Sequence, residues 1–316
     1  MIGFGILGAA EIASRMFLPA LLNNKECVCV GVASRTQSKR EEFRKIFSID
    51  TFDNYSSLIG DSQVQAVYIP LPHSLHYEWA KKALQLGKHV FLEKPATTSL
   101  QHTLELIEIA RKSALVLQEN YMFQYHLQFA EIRAMLESGI IGQPYLYRAD
   151  FGIPLRKSDD FRYNKELGGG ALLDTGGYVL KIASLLLGKT ATLKASQLST
   201  PPGYEVDMSG SVTLENEEGI VFQGAFGMDH FYQCTLTIWG RSGKMVTDRI
   251  FTAPPGFEPS VVLSTVDGNK TISLTSDNHF AASLSMFIEA MHDDAIRNKM
   301  YDDMEIQSRL LQETKR

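Results

Sequence analysis

Short apolar runs alternate with longer amphipathic segments over the first 120 residues. IGFGIL (2–7), CVCVGVA (27–33), VQAVYIPL (64–71), HVFL (89–92) and ALVLQ (114–118) are apolar on both faces, as strands covered on both sides must be. Between them, segments 11–24, 38–47, 74–86 and 98–113 repeat their apolar positions at helical spacing. Alternation of this kind predicts a doubly wound parallel sheet.

After residue 120 the pattern changes. A helix is expected over 125–138, a strand at PYLYRADFGI (144–153) and a helix over about 171–187. Strands then follow without helices between them: GSVTLE, IVFQGAF, QCTLTIWG, KMVTDRIF, SVVLSTV and KTISLT, with NEEG, GRSG and DGN as turns. In QCTLTIWG, Cys234, Leu236 and Ile238 share one face and Thr235, Thr237 and Trp239 the other. Helices at about 279–296 and 302–314 close the chain. The fold class is therefore α/β: a Rossmann domain over 1–120, then an α+β domain over 121–316 built on a large, mainly antiparallel sheet. The sheet's second face is partly apolar, and a homodimer or homotetramer formed through it is expected.

Composition narrows the function. With 316 residues, two domains are expected, since single cores stop growing near about 250–300 residues. Net charge is −5 and the charges are well mixed, so no basic stripe serves a nucleic-acid backbone. Three cysteines without paired spacing point to a reducing cytoplasm. MIGFGILGAAEIA has no basic stretch before its apolar run, and no apolar run reaches the ~18–20 residues of a membrane span.

GAAEIA (8–13) follows the first strand and sets Gly8, Ala10 and Ala13 where a dinucleotide fingerprint has its three glycines. Any tight strand–helix turn looks similar. The second strand ends in ASRTQSKR, however, where an NAD-preferring site carries Asp or Glu for the ribose hydroxyl. Ser34, Arg35 and Thr36, with Lys39 a turn later, suit a 2′-phosphate instead, which favours NADP (NADPH) over NAD.

Two further features carry candidate chemistry. FLEKPAT (91–97) puts Lys94 at the carboxyl end of a buried strand, the edge where such sheets bind ligands. It is either a working cation or a lysine paired to a nearby acid. In GGGALLDTGGYVL (168–180), Asp174 and Tyr178 stand four apart and share a face if the segment is helical. Tyr178 is either a proton donor whose phenolate a cation stabilises, or a buried tyrosine with a satisfied hydroxyl.

Together with LPHSLHYEWAKKAL (71–84), QENYMFQYH (118–126) and FRYNKELGGGALLDTGGY (161–178), these stretches resemble the glucose–fructose oxidoreductase / inositol dehydrogenase / rhizopine catabolism family along essentially the whole chain. The resemblance implies an NAD(P)-dependent oxidoreductase. It places Lys94 beside the nicotinamide and the reacting carbon, Asp174 against the sugar, and Tyr178 where many members have a histidine acid/base group. Its cofactor-binding set maps to Gly8, Ala9, Ala10, Glu11 and Ile12; to Ser34, Arg35, Thr36 and Lys39; to Leu71, Pro72, His73 and His76; and to Glu93, Lys94 and Asn120. Departures are His73 in place of the usual asparagine, Gln124 where relatives often have arginine, and Lys181 where many have an acid or asparagine. No metal is expected, because the pair His73 and His76 lacks a third ligand.

Within the tyrosine branch, ENYMF, DFRYNKELGGGALLDTGGY and LTIWGRSGKMVTDRIFTAPPG look most like NDP-sugar 3-ketoreductases, which reduce a C3 ketone on a nucleotide-linked deoxyhexose with NADPH. On that reading Tyr178 protonates the oxygen, Lys94 stabilises its charge, and Arg162 contacts a phosphate of cofactor or substrate. Lys94 as the direct donor, oxidation of a free sugar or cyclic trans-dihydrodiol, and a non-catalytic NAD(P)-binding sensor are the competing readings.

Overall fold

Six parallel strands form the first sheet of the computed structural model, which describes residues 1–315. They are β1 (Ile2–Leu7), β2 (Cys27–Ala33), β3 (Thr51–Phe52), β4 (Ala66–Ile69), β5 (His89–Glu93) and β6 (Leu117–Asn120), in the order β3-β2-β1-β4-β5-β6. This is the dinucleotide-binding order, in which the chain reverses direction across the sheet between β1 and β4 and leaves a ligand crevice at their carboxyl ends. Residues 11–23 are helical and contain a π-turn, Ala13–Phe17, ahead of α1 (Leu18–Asn23). The connections that follow are α2 (Gln37–Phe47), α3 (Tyr55–Gly60), α4 (His76–Gln85) and α5 (Leu100–Lys112).

The first of two compact units contains Met1–Asn120 and also Phe280–Glu305. The sequence pattern assigns everything after residue 120 to the second domain, and here the structure differs. Phe287 packs its ring 5.7 Å from Phe4 and 5.3 Å from Phe91, covering an aromatic layer to which Phe17 and Tyr68, stacked at 3.8 Å, also belong. A row of aromatic residues on one sheet face needs an apolar cover, and the distant helix supplies it.

The second unit holds Tyr121–His279 and the chain from Ile306 onward. After α6 (Leu127–Glu137) comes β7 (Pro144–Ile153), then a π-turn at Leu172–Gly176 that runs into α7 (Gly177–Leu187). The sheet is completed by β8 (Thr192–Ser199), β9 (Ser209–Glu215), β10 (Val221–Met228), β11 (Gln233–Gly240), β12 (Gly243–Asp248), β13 (Ser260–Thr265) and β14 (Gly268–Ser273). Its order is β14-β13-β12-β11-β7-β10-β9-β8, antiparallel except where β7 and β10 run parallel. Cys234, Leu236 and Ile238 are buried, as the alternation predicts.

The strand β8 is absent from the sequence expectation because TLKASQLS, at the sheet edge, is mostly exposed and has no apolar face to recognise. At the end of the chain, α8 (His279–His292) stops earlier than expected and α9 (Asp294–Thr314) starts earlier. Register brings the ends of β7, β10 and β12 and the starts of β9 and β11 to one sheet edge: Gly152 pairs with Gln233, Ile153 with Met228, Ser209 with Gly227, and Asp248 with Thr235.

Each unit encloses a buried neutral imidazole. Burial pushes His76 down to about 4, and burial with His126 nearby pushes His279 down to about 4. Between pH ~6.5 and those values the unfolded chain binds protons the folded one does not, so stability rises with pH across that window and is lost on acidification. Lowering the pH from 7 to 5 is expected to remove up to about 4 kcal/mol of unfolding free energy through the two rings. Urea midpoints at the two pH values test this, and an unchanged midpoint would rule it out.

Candidate active site

At the end of β1 the backbone turns through Gly8, with φ +115° and its amide donating to the Ala33 carbonyl at 2.9 Å. Glycine takes that conformation without strain, and a Cβ there would stand 2.9 Å from the Leu71 side chain. Ala9 is buried, Ala10 and Ile12 are half-buried, and Glu11 is exposed, paired with Arg15 at 2.7 Å. The first helical bonds run from the Ala13 and Ser14 amides to the Ala10 carbonyl at 3.0 and 3.2 Å. The amides of residues 10–12 precede them at the helix N-terminus, a cradle that fits a pyrophosphate.

The tip of β2 is more ordered than its polar sequence suggests. Ser34 is buried, and its hydroxyl accepts the Thr36 amide at 3.3 Å, turning back onto its own loop. Arg35, Thr36 and Lys39 are exposed. Arg40, which sequence reasoning did not single out, donates to the Ser34 carbonyl at 2.6 Å and fixes the loop. Its only sequence signal is its place one helical turn beyond Thr36.

Beyond β4, Leu71 and His73 are buried and Pro72 is half-buried. His76 lies wholly buried between two carbonyls, Nε2 at 2.8 Å from Leu71 O and Nδ1 at 2.8 Å from Pro95 O. Burial, helped by the charge of Lys94, outweighs the two carbonyls that favour a charged ring. Both ring nitrogens face backbone carbonyls; the neutral ring carries one N–H and donates to one of the two, and it exposes no surface. His76 is a staple between the turn after β4 and the turn after β5.

That second turn carries Glu93, Lys94 and Pro95. Lys94 is buried, the Lys94–Pro95 peptide is cis, and the next amide, Ala96, donates to Glu119 Oε1 at 2.7 Å. Glu93 Oε1 accepts the Tyr68 hydroxyl and the Asn120 side-chain amide, each at 2.8 Å. Asn120 Oδ1 in turn accepts the Ser283 hydroxyl at 2.8 Å, whose oxygen accepts Gln118 Nε2 at 2.7 Å. Burial pushes the Glu93 carboxyl pKa up, while the Asn120 and Tyr68 hydrogen bonds and the Lys94 charge oppose that. Asn120 thus faces Glu93, and Ser283 of α8 sets its orientation. Ser283 is 163 residues away in sequence and carries no local signal.

In the second unit the last of the three glycines, Gly170, folds against Asp207. Gly170 has φ +114°, and a Cβ on it would meet the Asp207 carboxylate at 2.4 Å. Asp207 receives the Leu172 amide at 2.6 Å through its side chain and the Ala171 amide at 2.7 Å through its carbonyl. Asp174 lies buried in the π-turn that follows, and Arg162 Nε donates to its Oδ2 at 2.7 Å. Arg162 Nη1 also reaches Asp160 at 3.1 Å. Burial opposes the guanidinium charge, but the two carboxylates outweigh it and hold Arg162 protonated. The expected sugar-binding acid and the expected phosphate-binding arginine are therefore paired with each other.

Tyr178 stands one turn further on, buried in an aromatic cage. Ring centroids of Tyr121 and Phe151 lie 5.2 Å away, Phe251 5.7 Å and Phe123 6.0 Å. Its hydroxyl lies 3.5 Å from the Met122 sulfur, a weak acceptor. Gly177 lets Tyr121 approach closely, since a Cβ there would sit 2.2 Å from the Tyr121 oxygen. The nearby Lys181, on the same helix, is also buried. Each unit thus sets a π-turn within a few residues of its glycine turn, a feature that recurs at functional sites.

Comparison with known proteins identifies both halves of the chain. Residues 2–121 match the oxidoreductase family with an NAD-binding Rossmann fold, and residues 129–246 match the GFO/IDH/MocA C-terminal domain. The chain is 37% identical over 288 residues to dTDP-3,4-didehydro-2,6-dideoxy-alpha-D-glucose 3-reductase of Streptomyces violaceoruber, covering 91% of this chain and 84% of that protein. Identity to the enzyme of the same name from Saccharopolyspora spinosa is 38% over 284 residues, covering 90% and 85%. A 3-ketoreductase from Actinomadura kijaniata, solved in complex with NADP and TDP-benzene, superposes with a TM-score of 0.96 at 33% identity, covering 99% of this chain and 97% of that one. With both halves matched in chain order, this protein belongs to the Gfo/Idh/MocA family of oxidoreductases.

Proposed function

We propose that this protein uses NADPH to reduce the C3 keto group of a nucleotide-linked deoxyhexose. The observation that carries the reading is identity of 37% across 91% of the chain to an enzyme named as a 3-reductase of a dTDP-linked dideoxyhexose. NADPH, when bound, supplies a hydride to the carbonyl carbon. The Gly8 turn and the amides of residues 10–12 hold its pyrophosphate, and Arg35, Thr36 and Lys39 take its 2′-phosphate. The Ser34–Arg35 tip lacks the carboxylate that would repel that phosphate.

Tyr178 gives its proton to the carbonyl oxygen as the alkoxide forms, and Lys94 stabilises the developing negative charge. A phenol releases its proton more readily where a cation stabilises the phenolate. The aromatic cage keeps water from Tyr178. Asp174, held by Arg162, retains lone pairs to orient a sugar hydroxyl.

The second reading is oxidation of a free sugar by the same residues in reverse. It draws on 32% identity over 259 residues to D-xylose 1-dehydrogenase (NADP(+)) 2 of Haloferax volcanii, covering 80% of this chain and 77% of that protein.

The protein acts as a homo-oligomer through the face of the eight-stranded sheet opposite α7. Thr237, Val246 and Val262 lie side by side there, and Trp239, 51% exposed, packs near Tyr145. Three free cysteines fit a reducing cytoplasm, and no helix among the described residues is long and apolar enough to cross a membrane.

Three measurements test these readings. NADPH oxidation with a nucleotide-linked 3-keto-6-deoxyhexose should be rapid for the wild type and fall about 10²- to 10⁴-fold in Tyr178→Phe. An undiminished mutant would move the proton to Lys94, and a wild type inert on this ketone but active on free sugars would favour the second reading. Arg35→Asp should lower kcat/KM for NADPH about 100-fold while sparing NADH; equal losses with both cofactors would discard the 2′-phosphate assignment. Trp239→Lys should lower the mass seen in sedimentation, and a wild-type monomer would discard the sheet-face interface.

A further inference from the structure

Arg249 combines a strained backbone, an aromatic frame and an uncompensated charge at the edge of the sheet where Tyr178 sits. The alternation of KMVTDRIF predicts a strand running to residue 251, yet β12 stops at Asp248 because Arg249 takes φ +53°. A non-glycine residue in that region is strained, and such residues concentrate at ligand sites. The turn is held in place by Gln128, buried, whose side-chain amide lies 3.4 Å from the carbonyls of both Arg249 and Ile250.

The guanidinium carbon lies 5.0 Å from the Tyr232 ring centroid and 5.8 Å from that of Phe257. Nη1 is 3.5 Å from the Tyr232 hydroxyl, which Thr252 holds from its other side at 2.7 Å. No carboxylate among the described residues pairs with Arg249. The other half-buried arginines of this unit do find acids: Arg162 meets Asp174 and Asp160, and Arg309 meets Glu313. Two rings restrict the side chain, but they leave its positive charge to be matched by something else.

Topology says where that charge lies. Arg249 follows the end of β12 and Tyr232 precedes the start of β11, on the edge that also carries the ends of β7 and β10. Two residues beyond Arg249, Phe251 forms a wall of the Tyr178 cage. In a nucleotide-linked hexose the diphosphate sits on C1, two carbons from a ketone at C3. A protein that reacts at C3 must therefore place an anion-binding group within a sugar's width of its proton donor.

From these observations we infer that Arg249, framed by Tyr232 and Phe257, binds the diphosphate of the substrate; the inference rests on the proposal that the substrate is nucleotide-linked. A planar guanidinium held at a fixed angle matches the bidentate geometry of phosphate oxygens. Arg162, expected from the sequence to meet a phosphate, is already compensated by two carboxylates, which leaves this role to Arg249.

The test is calorimetric binding of thymidine diphosphate, with NADPH present, to the wild type and to Arg249→Met, Arg249→Gly and Arg249→Lys. Glycine removes the guanidinium but accepts φ +53° without strain, so Arg249→Gly should melt no lower than the wild type. The Kd for thymidine diphosphate should rise about 10- to 100-fold in the Met and Gly variants and less in the Lys variant. KM for the nucleotide-linked ketone should rise in step, more than kcat falls, with the NADPH Kd unmoved. Unchanged thymidine diphosphate affinity in Arg249→Met and Arg249→Gly, in a wild type that reduces the nucleotide-linked ketone, would overturn this inference alone. A wild type that binds NADPH and reduces free keto sugars but ignores thymidine diphosphate would overturn both this inference and the proposed substrate class.

Discussion

A carboxylate at the end of a buried strand must be given hydrogen-bond donors, and much of the first unit is arranged around meeting that need for Glu93. Its donors come from β4 through Tyr68 and from β6 through Asn120. Asn120 is in turn oriented by Ser283 and, through it, by Gln118. The polarity of the chain is unambiguous, because the one hydroxyl proton of Ser283 goes to Asn120 and its oxygen must then accept from Gln118. Lys94 follows Glu93 directly, so the network that fixes the acid also fixes the backbone that presents the lysine. His76 and Glu119 secure the next two residues from either side.

The second unit meets a comparable need differently. There the charged pair is Arg162 with Asp174, and the backbone that carries Asp174 is anchored by a third acid, Asp207, which gathers the amides of Ala171 and Leu172. Gly170 is required because a side chain there would collide with Asp207. A π-turn then leads into α7, whose close approach to β10 depends on Gly224: a Cβ there would stand 2.2 Å from Val179. Tyr178 ends among four aromatic rings, with the Met122 thioether 3.5 Å from its hydroxyl.

Arg162, paired to two carboxylates, holds the turn that carries Asp174. Arg40 does similar work through a carbonyl on the β2 tip. Among the described residues neither Arg35 nor Arg249, one in each unit, is paired with a carboxylate, and both closely follow strand ends.

Several features were legible from the sequence because they are local. Apolar runs of strand length, helical periodicity and the Gly8 turn identified the parallel sheet, and the alternation in β11 identified its buried face. The polar tip at Ser34–Arg35 and the motif residues Lys94, Asp174 and Tyr178 were visible as residue types at fixed spacings. What side chains do with one another was not visible. Partners brought together by folding decided that His76 is a staple, that Arg162 and Asp174 bind each other, and that Asn120 depends on Ser283. Tertiary structure alone also decided that Phe280–Glu305 join the first unit and that β12 ends at a strained arginine. Periodicity records which face of an element is apolar; it holds no record of which distant element covers that face or satisfies a buried polar group.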